Sequence, residues 1–240
     1  MTTIIRIWSG PRNISTALMR SWENRADTAV LDEPLYAHYL AQTGLDHPGR
    51  AEILQAGPSE LGPALYSCTS PLLEPGQTIS YQKQMAHHLL RGMDLQWIGD
   101  ASNFLLVRHP RRVIASYAKV RSDPNLRDLG FPQLIELQER FGPLRVIEAD
   151  HFLADPESEL RTMCRAAAVD FDPRMLEWPT GPRPTDGPWA RFWYSTVEAS
   201  TGFSAQPTDD PDEIEIPGRL EPVARDALEL YEQLVADLIS

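Results

Sequence analysis

Apolar residues recur along the chain with two different periods, and the first change of period comes near the N-terminus. Ile4, Ile5, Ile7 and Trp8 form an apolar, largely β-branched run that is typical of a buried parallel strand. From Ile14 onward, apolar residues recur every three or four positions, as they do on the buried face of a helix. This pattern predicts a strand, a tight turn and a helix within the first 25 residues.

The same alternation of strand and helix patterns continues to the end of the chain. Further strands are predicted at 28–33, 78–82, 103–108 and 144–148, and further helices at 36–43, 85–93, 111–121, 131–141, 156–168 and 221–239. Residues 44–76 contain many Gly and Pro residues and predict short helices in an irregular stretch, whereas 206–217 predicts an acidic loop. Because strands alternate with helices, we expect an α/β fold whose parallel sheet is flanked by helices on both faces.

Length and composition favour one globular domain over residues 1–240. The chain has 240 residues, 42% of them hydrophobic and 23% charged, which is ordinary for a protein with a single large core. No apolar run approaches the ~20 residues of a membrane helix, and no cationic leader precedes the first strand. Cys68 and Cys164 fit no metal or redox spacing. We therefore expect a cytoplasmic protein with reduced thiols, no membrane association and no bound metal.

The net charge of −12 is unevenly distributed along the chain. Residues 1–120 hold 11 basic against 10 acidic side chains, whereas residues 121–240 hold 11 against 24. An acidic protein of this kind is a poor general binder of nucleic acid, and we expect none as a partner. Any anionic ligand must be held by local arginines, and the nearly neutral first half is the place to search for them.

The turn after the first strand has the composition of an anion-binding loop. Gly10 and Pro11 end the strand, and the helix that follows directs backbone N–H groups and its positive end toward the turn. Arg12 adds a guanidinium, and Ser15 and Thr16 add hydroxyl donors, with Asn13 between them. The stretch lacks the Gly-Lys-Ser/Thr ending of a Walker A loop. It predicts a phosphate- or sulfate-binding loop of another kind.

Polar residues at other strand ends are further candidates for the same site, because ligands bind at the carboxyl ends of parallel strands. Asp32 and Glu33 end the second strand, and alternation along a strand predicts that only one of them faces the site. Lys83 ends the third strand. Arg108 and Ser116 are eight residues apart at a strand end and in the next helix, a spacing that lets both face one anion.

Five stretches in chain order resemble the sulfotransferase family. They are the loop from Gly10 to Thr16, the acidic pair at Glu33, the basic Lys83, the segment from Phe104 to Ser116, and Arg183 to Trp189. Glu33 and Lys83 are similar in position to residues of the tyrosylprotein sulfotransferases, and the segment from Phe104 resembles the 3′-phosphate motif. In the fifth stretch the family's lysine and first glycine are missing, so only Arg183 corresponds to a nucleotide-contacting residue.

The resemblance implies a P-loop NTPase-like fold and a donor, 3′-phosphoadenosine 5′-phosphosulfate (PAPS), whose sulfuryl group passes to a hydroxyl or amine of a small-molecule acceptor. It implies that Arg12 stabilises the bridging oxygen, that Lys83 neutralises the transferring sulfonate, and that Glu33 accepts the acceptor's proton. It also implies that Gly10, Pro11, Arg12, Asn13, Ser15, Thr16, Arg108, Ser116 and Arg183 bind the nucleotide, and that segments near 44–77 and 178–218 form the lid and the acceptor site.

Several alternatives remain open from the sequence. The base could be Asp32 or a histidine, since cytosolic sulfotransferases use one; the candidates are His87, His88, His38 and His109. A P-loop kinase or NTPase would show magnesium-dependent ATP turnover, which the missing lysine disfavours. A catalytically silent module would bind nucleotide and transfer nothing. The acceptor and the oligomeric state cannot be predicted from these patterns.

Overall fold

A computed structural model describes residues 2–205 and 209–238. Five parallel strands form one sheet in the order β2-β3-β1-β4-β5. The strands are β1 (Thr3–Ser9), β2 (Thr28–Asp32), β3 (Ile79–Met85), β4 (Ser102–Val107) and β5 (Arg145–Glu148). The predicted α/β class is confirmed.

Helices connect the strands and cover both faces of the sheet. In chain order they are α1 (Ser15–Glu23), α2 (Tyr36–Thr43), α3 (Arg50–Ala56), α4 (Leu61–Thr69), α5 (Pro110–Tyr117), α6 (Phe131–Phe141), α7 (Ala149–Ala154), α8 (Pro156–Ala166), α9 (Ala190–Trp193), α10 (Ser195–Glu198) and α11 (Glu221–Val235). None of the described helices combines the length and the apolar character that crossing a lipid bilayer requires.

The core consists of two clusters, one on each face of the sheet. Ile5 and Ile7 of β1 pack with α1, α2 and α8 on one face, while Trp8 packs with α5, α6 and α11 on the other. Because successive side chains of a strand point to opposite faces, both sets lie on one short strand. Parallel strands covered on both faces are buried, which explains the apolar runs that predicted them.

Two predicted helices differ from the structure. The prediction of a helix over 85–93 is wrong, because β3 continues to Met85 and only Ala86–His88 follows as a single 3-10 turn. The prediction of one helix after β5 missed α7, which begins directly at the strand end and is capped by Glu148, whose carboxylate accepts from the His151 N–H at 2.8 Å.

The C-terminal predictions are confirmed in part. The predicted terminal helix is α11 followed by a 3-10 turn at Ala236–Leu238, and Ile239 lies outside the described residues. Residues 206–208 of the predicted acidic loop also lie outside them. The remainder of that loop contains one 3-10 turn, Pro211–Glu213, and a second, Gly218–Leu220, follows it directly.

Candidate active site

The loop between β1 and α1 depends on a glycine and a left-handed residue. A Cβ at Gly10 would lie 2.2 Å from the carbonyl oxygen of Leu129, so no larger residue fits there without movement of the backbone. Arg12 has a φ of 55°, a conformation uncommon for a residue with a side chain. The close approach and the turn bring the loop backbone to the carboxyl edge of the sheet.

Asn13 fixes the loop to the neighbouring strand. Its side-chain nitrogen donates to the carbonyl oxygen of Leu106 in β4 at 3.1 Å, and its oxygen accepts from the Ile14 N–H at 2.9 Å. The side-chain contacts of Asn13 are therefore with the chain itself. It borders the cavity as part of the loop backbone that the sequence predicted.

One cavity of about 280 Å³ lies above this edge of the sheet. Eight of the nine residues predicted to bind nucleotide fall in two groups at this edge: the loop residues Pro11, Arg12, Asn13, Ser15 and Thr16, with Gly10 directly before them, and the pair Arg108 and Ser116. Glu33 and Lys83 line the same cavity. The structure thus brings the predicted anion-binding groups and the predicted catalytic groups around one space.

Arg12 and Arg108 supply positive charge to this cavity. The Arg12 Nε donates to the Ser116 Oγ at 2.9 Å, and no described carboxylate lies within ion-pair distance of its guanidinium. Arg108 Nη1 donates to the carbonyl oxygen of Arg12 at 3.4 Å, and its Nε lies 3.8 Å from Asp150. Burial lowers the pKa of both arginines below the ordinary value, because a charged group loses hydration there. An anionic ligand would offset that cost.

Lys83 is buried at the centre of an acidic cluster. Its Nζ donates to Asp32 Oδ1 at 3.0 Å, to Glu33 Oε1 at 2.6 Å and to the Tyr194 hydroxyl. Burial raises the pKa of Glu33, and the neighbouring Asp32 adds to this, while Lys83 opposes it. Burial alone would lower the pKa of Lys83, but its two carboxylate partners raise it above the ordinary value. The result is a charged lysine beside a more basic glutamate.

Only Glu33 of the acidic pair lines the cavity, as the prediction that one of the two faces the site requires, but strand alternation is not the reason. Both contact the same ammonium group, because β2 ends at Asp32 and Glu33 has a φ of 43°. This left-handed residue breaks the strand alternation and turns the Glu33 side chain into the cavity. Asp32 is buried behind it and does not line the cavity.

Lys83 does not end its strand, as the sequence suggested, but lies two residues before the end of β3. It is the direct neighbour of Asp32 in the parallel ladder between β2 and β3. This register explains why the two side chains meet.

Of the four histidines considered as bases, only His87 lines the cavity. His88 is buried against the Tyr36 and Tyr39 rings, with centroid distances of 4.6 and 4.8 Å. His38 Nδ1 lies 2.9 Å from the carbonyl oxygen of Ser59, and His109 lies 3.7 Å from Asp212. Burial lowers the pKa of His87 to about 3, so its imidazole is neutral at physiological pH.

His47 and Tyr194 are among the cavity residues that sequence reasoning did not assign to the site. His47 lines it from the 44–77 segment, with its Nδ1 2.8 Å from the Tyr36 hydroxyl, and burial lowers its pKa to about 4. Tyr194 lines it from the 178–218 segment and contacts both Asp32 and Lys83. His47 stands in an irregular stretch without a motif. Tyr194 lies in the predicted 178–218 segment but in no motif.

The two predicted lid segments contribute unequally. Within residues 44–77, all of which the structure describes, only His47 lines the cavity. The described part of 178–218 contributes a wall of eight residues: Trp193, Tyr194, Thr196, Val197, Ser200, Gly202, Phe203 and Ser204. The second segment therefore supplies much more of the cavity wall than the first.

Arg183 does not line the cavity. Its Nε lies 3.8 Å from Glu23 of α1, and its Nη2 donates to the carbonyl oxygen of Pro179 at 2.9 Å. Its backbone N–H donates to Asp186, which in turn pairs with the buried Arg20 at 2.7 Å. The stretch that resembled a nucleotide-closing segment thus anchors itself to α1.

Among residues 2–205 and 209–238, no group of three or more His, Cys, Asp and Glu side chains is arranged to hold a metal ion. The Arg, Lys, Asp and Glu side chains that line the cavity are those of Arg12, Arg108, Lys83 and Glu33.

Known proteins resemble this chain both in sequence and in fold. Residues 2–233 match the family model of the sulfotransferase domain. The chain also resembles the sulfotransferase domain of an olefin synthase from Synechococcus PCC 7002, with a TM-score of 0.59, 18% identity and 96% of each chain covered. A sulfotransferase domain from the curacin biosynthetic pathway gives a TM-score of 0.57 at 16% identity, covering 97% of this chain and 98% of that one. These likenesses confirm the predicted P-loop NTPase-like fold.

A curated relative from Arabidopsis thaliana, branched-chain-amino-acid aminotransferase-like protein 1, is 37% identical over 210 residues. The match covers 84% of this chain, and the chain spans 37% of the length of that relative.

Proposed function

We propose that this chain, which belongs to the sulfotransferase family, transfers the sulfuryl group of PAPS to a hydroxyl or amine of a small-molecule acceptor. The observation that carries the proposal is the shared cavity: the arginines and hydroxyls suited to a phosphosulfate line the same space as the buried carboxylate of Glu33. A donor and an acceptor bound there would meet between these groups.

The groups around the cavity fit a nucleotide with anionic groups at both its 3′ and 5′ positions. Arg12, with no described carboxylate partner, and the Ser15 and Thr16 hydroxyls at the start of α1 would hold the 5′-phosphosulfate. Arg108 and Ser116 would hold the 3′-phosphate. The burial that lowers the pKa of both arginines supports an anionic occupant, since such a ligand stabilises the charged guanidinium.

When bound, PAPS supplies a sulfuryl group: the acceptor atom forms a bond to sulfur as the bond between sulfur and the 5′-phosphate oxygen breaks, leaving adenosine 3′,5′-bisphosphate. Arg12 stabilises the negative charge that this oxygen gains, and the α1 N-terminus assists. Glu33 takes the proton that the acceptor hydroxyl or amine loses, and its raised pKa makes it a stronger base than an ordinary carboxylate. Positioning and charge stabilisation thus account for most of the catalysis.

The test compares nucleotides first and transfer second. In calorimetry, adenosine 3′,5′-bisphosphate should bind at least tenfold more tightly than 5′-AMP or ATP, because only the bisphosphate uses Arg108 and Ser116; one charge-assisted contact is worth about 1.5–3 kcal/mol. Transfer of labelled sulfuryl from PAPS to an acceptor library then tests the reaction. Equal affinity for AMP and the bisphosphate would contradict the donor. Magnesium-dependent ATP turnover would indicate a kinase, and tight bisphosphate binding without transfer would indicate a silent module.

A further inference from the structure

The hydrogen bonds of Lys83 account for all three of its N–H groups. One goes to Asp32, one to Glu33 and one to the hydroxyl of Tyr194. An ammonium group has three donors and no acceptor, so these contacts use its full capacity. Lys83 therefore has no donor left for a sulfonate in the cavity unless one of these bonds breaks.

The Tyr194 hydroxyl is equally committed. It accepts from Lys83 Nζ and, at 3.0 Å, from the indole N–H of Trp189, and its own proton lies between the two Asp32 oxygens at 2.9 and 2.7 Å. A phenol has one donor and two acceptor lone pairs, and all three are used. Asp32 also accepts from the Gly187 N–H at 3.3 Å. Lys83, Asp32 and Tyr194 thus all have hydrogen-bond partners from the chain itself.

We propose that Lys83, Asp32 and Tyr194 are positioning residues, which hold the Glu33 carboxylate toward the acceptor instead of contacting the transferring group. Glu33 is the member of the set whose carboxylate borders the cavity, where it accepts from Lys83 Nζ at 2.6 Å. The inference rests on the proposed function for its catalytic meaning, and it reassigns Lys83 from the role that the resemblance implied.

This hydrogen-bond network gives residues 183–194 a role in supporting the Glu33 side chain. Gly187, Trp189 and Tyr194 all contribute to the network, and a Cβ at Gly187 would lie 2.1 Å from the Trp189 ring. The packing of this segment against α1, through Arg20 and Asp186, therefore places the Tyr194 hydroxyl on Asp32. The segment supports the base from behind, where the sequence comparison had suggested a cover for the nucleotide.

The charged and titratable groups that face Glu33 determine how substitutions around it should change its titration. Asp32 and Lys83 face it from β2 and β3, and Tyr194 from the segment after α9; Tyr36 of α2 and Tyr117 of α5 lie on the remaining sides. Removal of the Tyr194 hydroxyl leaves the Asp32 charge less stabilised, so Asp32 draws Lys83 away from Glu33. Neutralisation of Asp32 has the opposite effect, because Glu33 is then the one charged carboxylate that Lys83 contacts. The two changes should shift the titration of Glu33 in opposite directions.

The test measures the titration of Glu33 in the ligand-free chain by NMR with carboxyl-labelled glutamate, with the signal assigned by its loss in Glu33→Gln. The Tyr194→Phe substitution should raise the midpoint of the Glu33 titration by about 0.5 to 1 pH unit, whereas Asp32→Asn should lower it. The control is Tyr81→Phe: Tyr81 is also fully buried, its hydroxyl has no partner among the described residues, and it should leave the midpoint unchanged. Unshifted midpoints in both Tyr194→Phe and Asp32→Asn would overturn the proposal.

Kinetics with the donor and an acceptor give the second readout. Tyr194→Phe should lower kcat by about 5- to 30-fold while the affinity for adenosine 3′,5′-bisphosphate stays within about twofold of wild type. In a Glu33→Gln background, Tyr194→Phe should cause no further loss, because it acts through Glu33. Additive losses, or weaker nucleotide binding with unchanged kcat, would overturn the positioning role. If the wild type transfers nothing, the proposed function fails, and the NMR titration still decides whether the network holds Glu33.

Discussion

Arg12 Nε donates to Ser116 Oγ at 2.9 Å, although the two residues are 104 positions apart. The bond joins the loop after β1 to α5, and so joins the groups proposed for the 5′-phosphosulfate to those proposed for the 3′-phosphate. Because β1 and β4 are neighbours in the sheet, their carboxyl ends bring both groups to one edge. Two separate motifs of the sequence therefore form one surface, which we propose binds the nucleotide.

Arg12→Ala should abolish transfer and leave the fold intact, because the side chain lies in a loop and contributes little to the core. We expect kcat to fall by about 10²–10³-fold, the range seen when a group that stabilises developing charge is removed. Arg12→Lys should keep measurable activity. Melting curves and single-turnover assays measure both effects. Arg140→Ala, which removes an exposed arginine that forms an ion pair with Glu136 of the same helix, is the charge-matched control. Unfolding of Arg12→Ala would show that the arginine is structural.

Arg108→Ala should weaken binding of adenosine 3′,5′-bisphosphate by about 10- to 100-fold and change the affinity for 5′-AMP little. Arg183→Ala is the informative comparison, because this arginine lies outside the cavity, at Glu23 and Pro179. We expect Arg183→Ala to bind adenosine 3′,5′-bisphosphate as tightly as the wild type does, as measured by calorimetry. An equal loss in both variants would support the nucleotide contact that the sequence implied for Arg183.

The buried histidines make stability depend on pH. Burial lowers the pKa of His47 to about 4 and that of His87 to about 3, and it lowers the pKa of His88 well below the ordinary value. In the unfolded chain a histidine titrates near pH ~6.5, so between these values the unfolded state binds more protons than the native state. Stability should therefore be complete above pH ~6.5 and fall as the pH drops toward 4.

His88→Phe should reduce this loss, since a phenyl ring keeps the stacking on Tyr36 and Tyr39 and cannot take a proton. Melting temperatures measured from pH 7.5 to 4 test the effect, with the exposed His151→Gln as control. A variant with the same pH dependence as the wild type would show that His88 is not a source of it.

Gly10→Ala should destabilise the protein by about 1–3 kcal/mol, because its Cβ would lie 2.2 Å from the Leu129 oxygen. Gly62→Ala is the matched control: it lies in α4, nothing stands within 4 Å of the added carbon, and alanine favours a helix. Urea titrations should show a lower midpoint for the first variant and an equal or higher one for the second. Equal midpoints would show that the loop backbone yields to the methyl group.

The sheet, its helices and most of the cavity could be predicted because they follow from local patterns. The runs around Ile5 and Phe104 predict buried strands, and the residue types at their ends predict an anion site. Local patterns failed around Lys83, where both the end of the strand and the following helix were predicted incorrectly. The helix predicted from Met85 failed because apolar spacing in a short window does not distinguish a helix from a 3-10 turn followed by an irregular stretch.

Contacts between distant segments could not be predicted in the same way. Glu33 enters the cavity through a left-handed φ, and nothing in the strand pattern indicates this conformation. Tyr194 meets Asp32 from a segment that the Arg20–Asp186 pair helps to hold on α1. His47 approaches Tyr36 across an irregular loop. Each of these arrangements depends on tertiary packing, which the local spacing of apolar residues in one sequence does not indicate.

The most direct test of the central claim is single-turnover transfer of labelled sulfuryl from PAPS, compared between the wild type and Glu33→Gln. Glutamine keeps the size of the side chain and its hydrogen bonding but cannot accept a proton. We expect the rate to fall by about 10²–10⁴-fold while the affinity for adenosine 3′,5′-bisphosphate stays nearly unchanged. The wild-type rate should also decline at acidic pH, with a midpoint above that of an ordinary glutamate, because burial raises the pKa of Glu33. Equal rates in the two proteins, with His87→Ala inactive, would contradict the claim and assign the base to the histidine.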